Sequence, residues 1–97
     1  MASYRVLIAR PLAEGLHQRY EDYPLKELLA ALRERLAHEA HQGGQAPFPF
    51  MRGTLTQSFE IETSAGVFQV SPLYWIDEGD AAVEIVDIGI LPIADEF

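Results

Sequence analysis

Ninety-seven residues with a formal net charge of −8 and no cysteine suit one small soluble domain and exclude disulfides, thiolate metal sites and a cysteine nucleophile. The charge is unevenly spread: all Lys, Arg and His residues lie before Gly53, whereas the chain from Gly53 onward carries nine acids and no base. A segment with only negative charge repels phosphate backbones, so nucleic-acid chemistry on it is not expected. No run approaches the ~18 apolar residues of a membrane span. The start, Met-Ala-Ser-Tyr-Arg-Val, lacks the basic-then-apolar order of a signal peptide. A cytoplasmic protein without nucleic-acid or membrane partners is the expectation.

Residues 3–9 are β-branched and aromatic enough for a strand, with Tyr4, Val6 and Ile8 on one face. Arg10-Pro11 breaks it, and Pro11 can open a short helix carrying Leu12, Leu16 and Tyr20 at helical spacing. After Asp22-Tyr23-Pro24, the residues Leu25, Leu28, Leu29, Leu32 and Leu36 form a leucine face, predicting a helix over 24–42 stopped by Gly43-Gly44. Residues 43–52 read as an extended linker, because Pro47 and Pro49 cannot serve a central strand.

Residues 54–62 alternate, with Leu55, Phe59 and Ile61 inward and Glu60 and Glu62 outward. Residues 63–66 make a hairpin loop. Val67 to Ile76 is apolar on both faces, as a central strand requires, with Ser71-Pro72 marking a bulge or bend. Asp77-Glu78-Gly79-Asp80 is the second hairpin loop, and Ala81 to Leu91 the last strand. The order β-α-α-β-β-β predicts an α+β domain over residues 1–91 with a short tail, 92–97. Two helices pack on one face of a mostly antiparallel four-stranded sheet, the leucine face meeting Leu55, Phe59 and Ile61.

No catalytic constellation stands out, and no cofactor is implied. His38 and His41 share a helix face, but two ligands without a third partner at diagnostic spacing read as exposed histidines at a helix C-terminus. The acids of 77–80 are turn residues rather than a calcium loop, which needs about a dozen positions. Ser58, Ser64 and Ser71 have no downstream His, and Gly43-Gly44 lacks the Lys of a phosphate loop. Glu60, Glu62 and Glu84 lie on the outward face of the meander as solvated carboxylates. Asp87 alternates with Val83 and Ile85. It is therefore either on an apolar face, with Arg5, Arg10 or Arg52 as its partner, or bulged out to water. Phe48, Phe50, Tyr74, Trp75 and Phe97 are candidates for an aromatic patch. The binding candidates are thus Asp87, Tyr74, Trp75, Glu60 and Glu84.

Several landmarks carry a family likeness: Tyr4-Arg5-Val6, Arg52-Gly53 followed by Phe59-Glu60-Ile61, Gly66-Val67-Phe68-Gln69-Val70 then Tyr74, and Val83 to Gly89. With the element order and the length, they resemble the RelE/ParE superfamily of small toxins from toxin–antitoxin pairs. The resemblance implies the architecture, and with it dimerisation or a peptide partner. It also implies an alternative activity, a toxin acting on RNA or topoisomerase. Gln69 stands where that family carries a central-strand Arg, and Ile90-Leu91 where it ends in a basic or His-containing pair. Its ribonuclease chemistry, which uses cations at phosphate, is therefore not carried over. The expected function is a small acidic, non-catalytic interaction module. A symmetric homodimer is expected to cover the sheet face that the helices leave free, where Leu73 and Trp75 lie. A basic protein or a small ligand is the expected further partner.

Overall fold

The computed structural model describes residues 3–46 and 53–93. Strand β1 (Arg5–Ile8) leads into α1 (Arg10–Arg19), α2 (Leu25–Glu39) and a 3-10 turn over Ala40–Gln42. Then come β2 (Gly44–Gln45), β3 (Leu55–Thr56), β4 (Phe59–Thr63), β5 (Gly66–Asp77) and β6 (Ala82–Pro92). The fold is α+β, with two helices against a mixed sheet. Its strand order is β1-β6-β5-β3-β2, and β4 pairs with the other half of β5.

The leucine periodicity of α2 does what its spacing predicts: Leu25, Leu28, Leu32 and Leu36 are buried and Leu29 partly so. They join Phe59 and Ile61 of β4, Phe68, Val70 and Tyr74 of β5, and Val83, Ile85, Ile88 and Ile90 of β6 in one core. Each such leucine contributes about 2 kcal/mol through removal of its surface from water. The Arg35 guanidinium closes the rim of this core, 4.7 Å from the centroid of the Phe59 ring. Pro11 sits in the first turn of α1, whose Leu16 is fully buried. The regular part of α2 ends at Glu39 rather than continuing to residue 42, and a tighter 3-10 turn carries the chain to Gly43.

Three features of the sheet go beyond the expected mostly antiparallel four-stranded arrangement. First, β1 runs parallel to β6, with Arg5 opposite Ala82 and Ile8 opposite Ile85. Second, the expected linker contributes β2, which pairs antiparallel with β3; Pro47, Pro49 and the rest of 47–52 lie outside the described residues. Third, the expected strand over 54–62 is interrupted at Gln57-Ser58, although β3 and β4 keep one common register along β5.

Pro72 accounts for the interruption. In a strand, the N–H and C=O of one residue point to the same side. The carbonyl of Pro72 accepts a hydrogen bond from Thr56 Oγ1 at 2.8 Å, so its ring nitrogen also faces the β3–β4 lane, where it has no proton to offer. Position 57 stands opposite it in that register and loses its ladder partner. Strand β5 itself runs unbroken from Gly66 to Asp77, so the irregularity expected at Ser71-Pro72 falls on its neighbour.

A true bulge occurs instead in β6. Tyr74 pairs with Ile85, but Leu73 pairs with Asp87, leaving Val86 as the extra residue. The bulge lets Ile85 and Ile88 both reach the core and turns Asp87 out. Of the two expected placements of Asp87, the structure shows the one bulged out to water, not the one that simple alternation with Val83 and Ile85 gives. Asp87 is not on the apolar face, and its partner is Arg19, at 3.7 Å, rather than Arg5 or Arg10. Arg52 lies outside the described residues. The last strand continues one residue further than expected, to Pro92, and Ile93 still donates its N–H to the carbonyl of Val67.

Candidate functional site

Among the described residues, both helices lie on one side of the sheet and none covers the other, the open face. The ladder fixes what it presents: Trp75 beside Glu84, and Glu84 beside Leu7 of β1. Further along lie Leu73 beside Asp87, and Glu60 beside Gln69 and Leu91. Of the large apolar side chains here, Leu91 is exposed by 64%, Trp75 by 45%, Leu7 by 41% and Val86 by 36%, and Leu73 is half-buried. Interleaved with them are Glu60, Glu62, Asp77, Glu84 and Asp87, whereas Arg5 is the one base that the register places on this face among the described residues.

The indole Nε1–H of Trp75 donates to the Glu84 carboxylate across the β5–β6 pair. That bond anchors the indole to the neighbouring strand while the side chain stays exposed. Glu84 stands between two shallow depressions. One, of about 480 Å³, is lined by Gly53, Trp75, Ile76, Asp77, Glu78 and Glu84. The other, of about 350 Å³, is lined by Leu7, Ile8, Ala9, Glu84, Ile85 and Val86. An exposed aromatic ring with carboxylates around it attracts cations by charge and by the ring quadrupole. Asp87 is exposed at the margin of this row, its Oδ1 accepting the N–H of Ile88 at 2.9 Å.

Tyr74 does not belong to this surface. It is the neighbour of Trp75 in the strand and therefore points the opposite way, into the core, where it is fully buried. Its hydroxyl donates to the carbonyl of Ala40 at 2.6 Å and accepts from Gln57 Nε2 at 3.0 Å. Burial pushes the phenol above its ordinary pKa, against the opposing hydrogen bonds from Gln57 and the Gly43 backbone. It ties the end of α2 to the sheet. Of the five binding candidates, Trp75, Glu60, Glu84 and Asp87 share the open face and Tyr74 does not. Of the aromatic patch, Phe48, Phe50 and Phe97 lie outside the described residues.

One cluster has no counterpart in the sequence reading. The Tyr4 hydroxyl lies 2.6 Å from His41 Nε2 and donates to Glu78 Oε2 at 2.9 Å, while His41 Nε2 is 3.1 Å from Glu78 Oε1. A phenol has one proton, which goes to Glu78, and the part His41 Nε2 plays toward Tyr4 follows its tautomer. The carboxylate accepting from Tyr4 raises the pKa of that phenol. The three residues are far apart in the chain, and no short-range spacing marks them. The regular helix ends between His38 and His41, and His41 belongs to the 3-10 turn. Among the described residues, no group of three or more His, Asp and Glu could hold a metal. Asp77-Glu78-Gly79-Asp80 is a turn in which Asp77 Oδ1 accepts the N–H of Asp80 at 3.2 Å.

Comparison with family models, with curated proteins and with solved structures finds no match to this chain. No helix among the described residues is long and apolar enough to cross a membrane.

Proposed function

We propose that this protein is a non-catalytic interaction module whose open sheet face binds a basic protein partner. The observation that carries the reading is the composition of one surface. Leu7, Leu73, Trp75, Val86 and Leu91 supply apolar contact, and Glu60, Glu62, Asp77, Glu84 and Asp87 supply charge of one sign, against Arg5 and, at the margin, the Arg19 that pairs with Asp87. Exposed apolar surface rimmed by charge is what association surfaces carry. The sign of the charge selects the partner.

A symmetric homodimer through the same face is the second reading, supported by the exposure of Leu91, Trp75, Leu7 and Val86. Charge ranks it below the first, because a two-fold axis through this face sets carboxylates against carboxylates. The alternative raised by the RelE/ParE resemblance, a toxin acting on RNA or topoisomerase, requires cations at phosphate. Among the described residues, the open face offers Arg5 and, at its margin, an Arg19 already paired with Asp87.

The test is a titration of Trp75 fluorescence with a lysine-rich peptide and with a glutamate-rich peptide of equal length, repeated at increasing salt. The expected result is saturable binding of the basic peptide alone, weakening as salt screens the carboxylates. Equal response to both peptides, or to neither, overturns the reading. Light scattering on the free protein decides the homodimer: monomer mass at micromolar concentration rejects it.

A further inference from the structure

We propose that the outer edge of β4 is a docking site for an extended basic segment. The segment adds antiparallel to the sheet as a further strand and sets Lys or Arg side chains at alternate positions opposite Glu60 and Glu62. The proposal rests on the reading of the open face as the surface for a basic partner, and specifies how that partner is held.

The direction of the backbone groups comes first. The carbonyl of Val67 accepts from Ile93, on the β6 side. Because strand residues alternate, Phe68 and Val70 turn their N–H and C=O to β4, where they face Ile61 and Phe59. The N–H and C=O groups of Glu60 and Glu62 therefore point away from β5. No backbone partner for them exists among the described residues. Side chain and backbone of these two residues thus offer a carboxylate on the open face and a donor–acceptor pair on the edge, repeated every second residue. That is the requirement for strand addition with side-chain selection.

The other edges of the sheet are guarded. Beyond β1, the outer side of β6 is broken by the bulge at Val86-Asp87. There Ile88 N–H is taken by its neighbour's carboxylate, and Ile90 N–H by the Tyr20 hydroxyl at 3.3 Å. The edge of β1 carries Arg5 and runs at once into α1, and β2 has only two residues. Strand β4, Phe59-Glu60-Ile61-Glu62-Thr63, contains no Pro, no Lys and no bulge, the devices that close an edge. What it does carry is two glutamates on one face. Pairing of β4 with β4 of a second copy sets these carboxylates opposite each other, an unfavourable cross-strand arrangement. A strand bearing Lys or Arg at those positions reverses the sign. On the helix side, Arg35 is held by Glu39 at 2.5 Å, so it is not an unpaired cation that would repel a basic segment.

The experiment uses the full chain and three peptides of equal charge: Thr-Lys-Thr-Lys-Thr-Lys-Thr, the same peptide N-methylated on its Lys nitrogens, and the same peptide N-methylated on its Thr nitrogens. A Lys opposite Glu60 exchanges backbone hydrogen bonds with it, whereas the Thr nitrogens face away. The parent and the Thr-methylated peptide are expected to bind and to slow hydrogen exchange at the Glu60 and Glu62 amides. The Lys-methylated peptide is expected to lose binding. Glu60→Gln and Glu62→Gln are each expected to weaken the parent by about two- to fivefold. Equal affinity for the two methylated peptides, or binding that leaves both amides exchanging as in the free protein, overturns edge addition while sparing the wider reading of the face. Failure of all three peptides to bind overturns both.

Discussion

Gly43 stands directly against the hydroxyl of Tyr74: a Cβ added to Gly43 would lie 2.2 Å from that oxygen. The glycine that ends the 3-10 turn after α2 is therefore needed for close approach as well as for stopping the helix. Gly43→Ala is expected to destabilise the fold by about 1–3 kcal/mol, the usual range for overpacking. Urea unfolding measures it, and an unchanged midpoint would show that Tyr74 moves aside freely.

Tyr74→Phe probes the same junction from the other side. It removes the donor to Ala40 and the acceptor for Gln57, while Ala40 keeps the Gly43 N–H and Gln57 keeps the Glu39 carbonyl, so the cost is that of the lost hydrogen bonds, about 0.5–1.5 kcal/mol each. The same unfolding assay reads the loss. If the variant retains full stability, the hydroxyl is not the tie between α2 and the sheet.

Leu32 is fully buried in the middle of the leucine face. Leu32→Ala is expected to lose about 2–5 kcal/mol, combining lost burial with the cavity left behind. A shift in urea midpoint corresponding to less than about 1 kcal/mol would place Leu32 outside a close-packed core.

Glu27 contributes to the acid limb of the stability profile. Its carboxylate accepts from the Ser64 hydroxyl and backbone N–H, the hydroxyl contributing the larger effect, and these bonds lower its pKa below 4.5. Folding therefore gains from this contact above the ordinary carboxylate pKa, and the gain disappears as pH falls through the lowered value. Glu27→Gln is expected to unfold with a shallower dependence on pH below 4.5. Parallel profiles for the two proteins would contradict this.

The helices were legible because period and punctuation agree: the α2 leucines repeat at helical spacing between Pro24 and Gly43. The sheet was less so. Nothing local in Tyr4-Arg5-Val6 states that β1 pairs parallel with β6, since that pairing is made across the whole chain. Asp87 illustrates a second limit: simple alternation fails after one inserted residue, and Val86 is the insertion. Tyr74 and Trp75 are adjacent aromatics whose opposite roles follow from strand parity, which places one under the helices and the other on the open face. The acidic character of that face was readable directly, because every base lies before Gly53. The Tyr4–His41–Glu78 cluster was not, because tertiary folding alone brings its members together.

The central claim, that the open acidic face is the binding surface, is tested most directly by amide chemical-shift mapping during titration with a lysine-rich peptide. The account predicts shifts concentrated at Glu60, Gln69, Leu73, Trp75 and Glu84, reduced at high salt. Shifts confined to α1 and α2, or no shifts at saturating peptide, would contradict it.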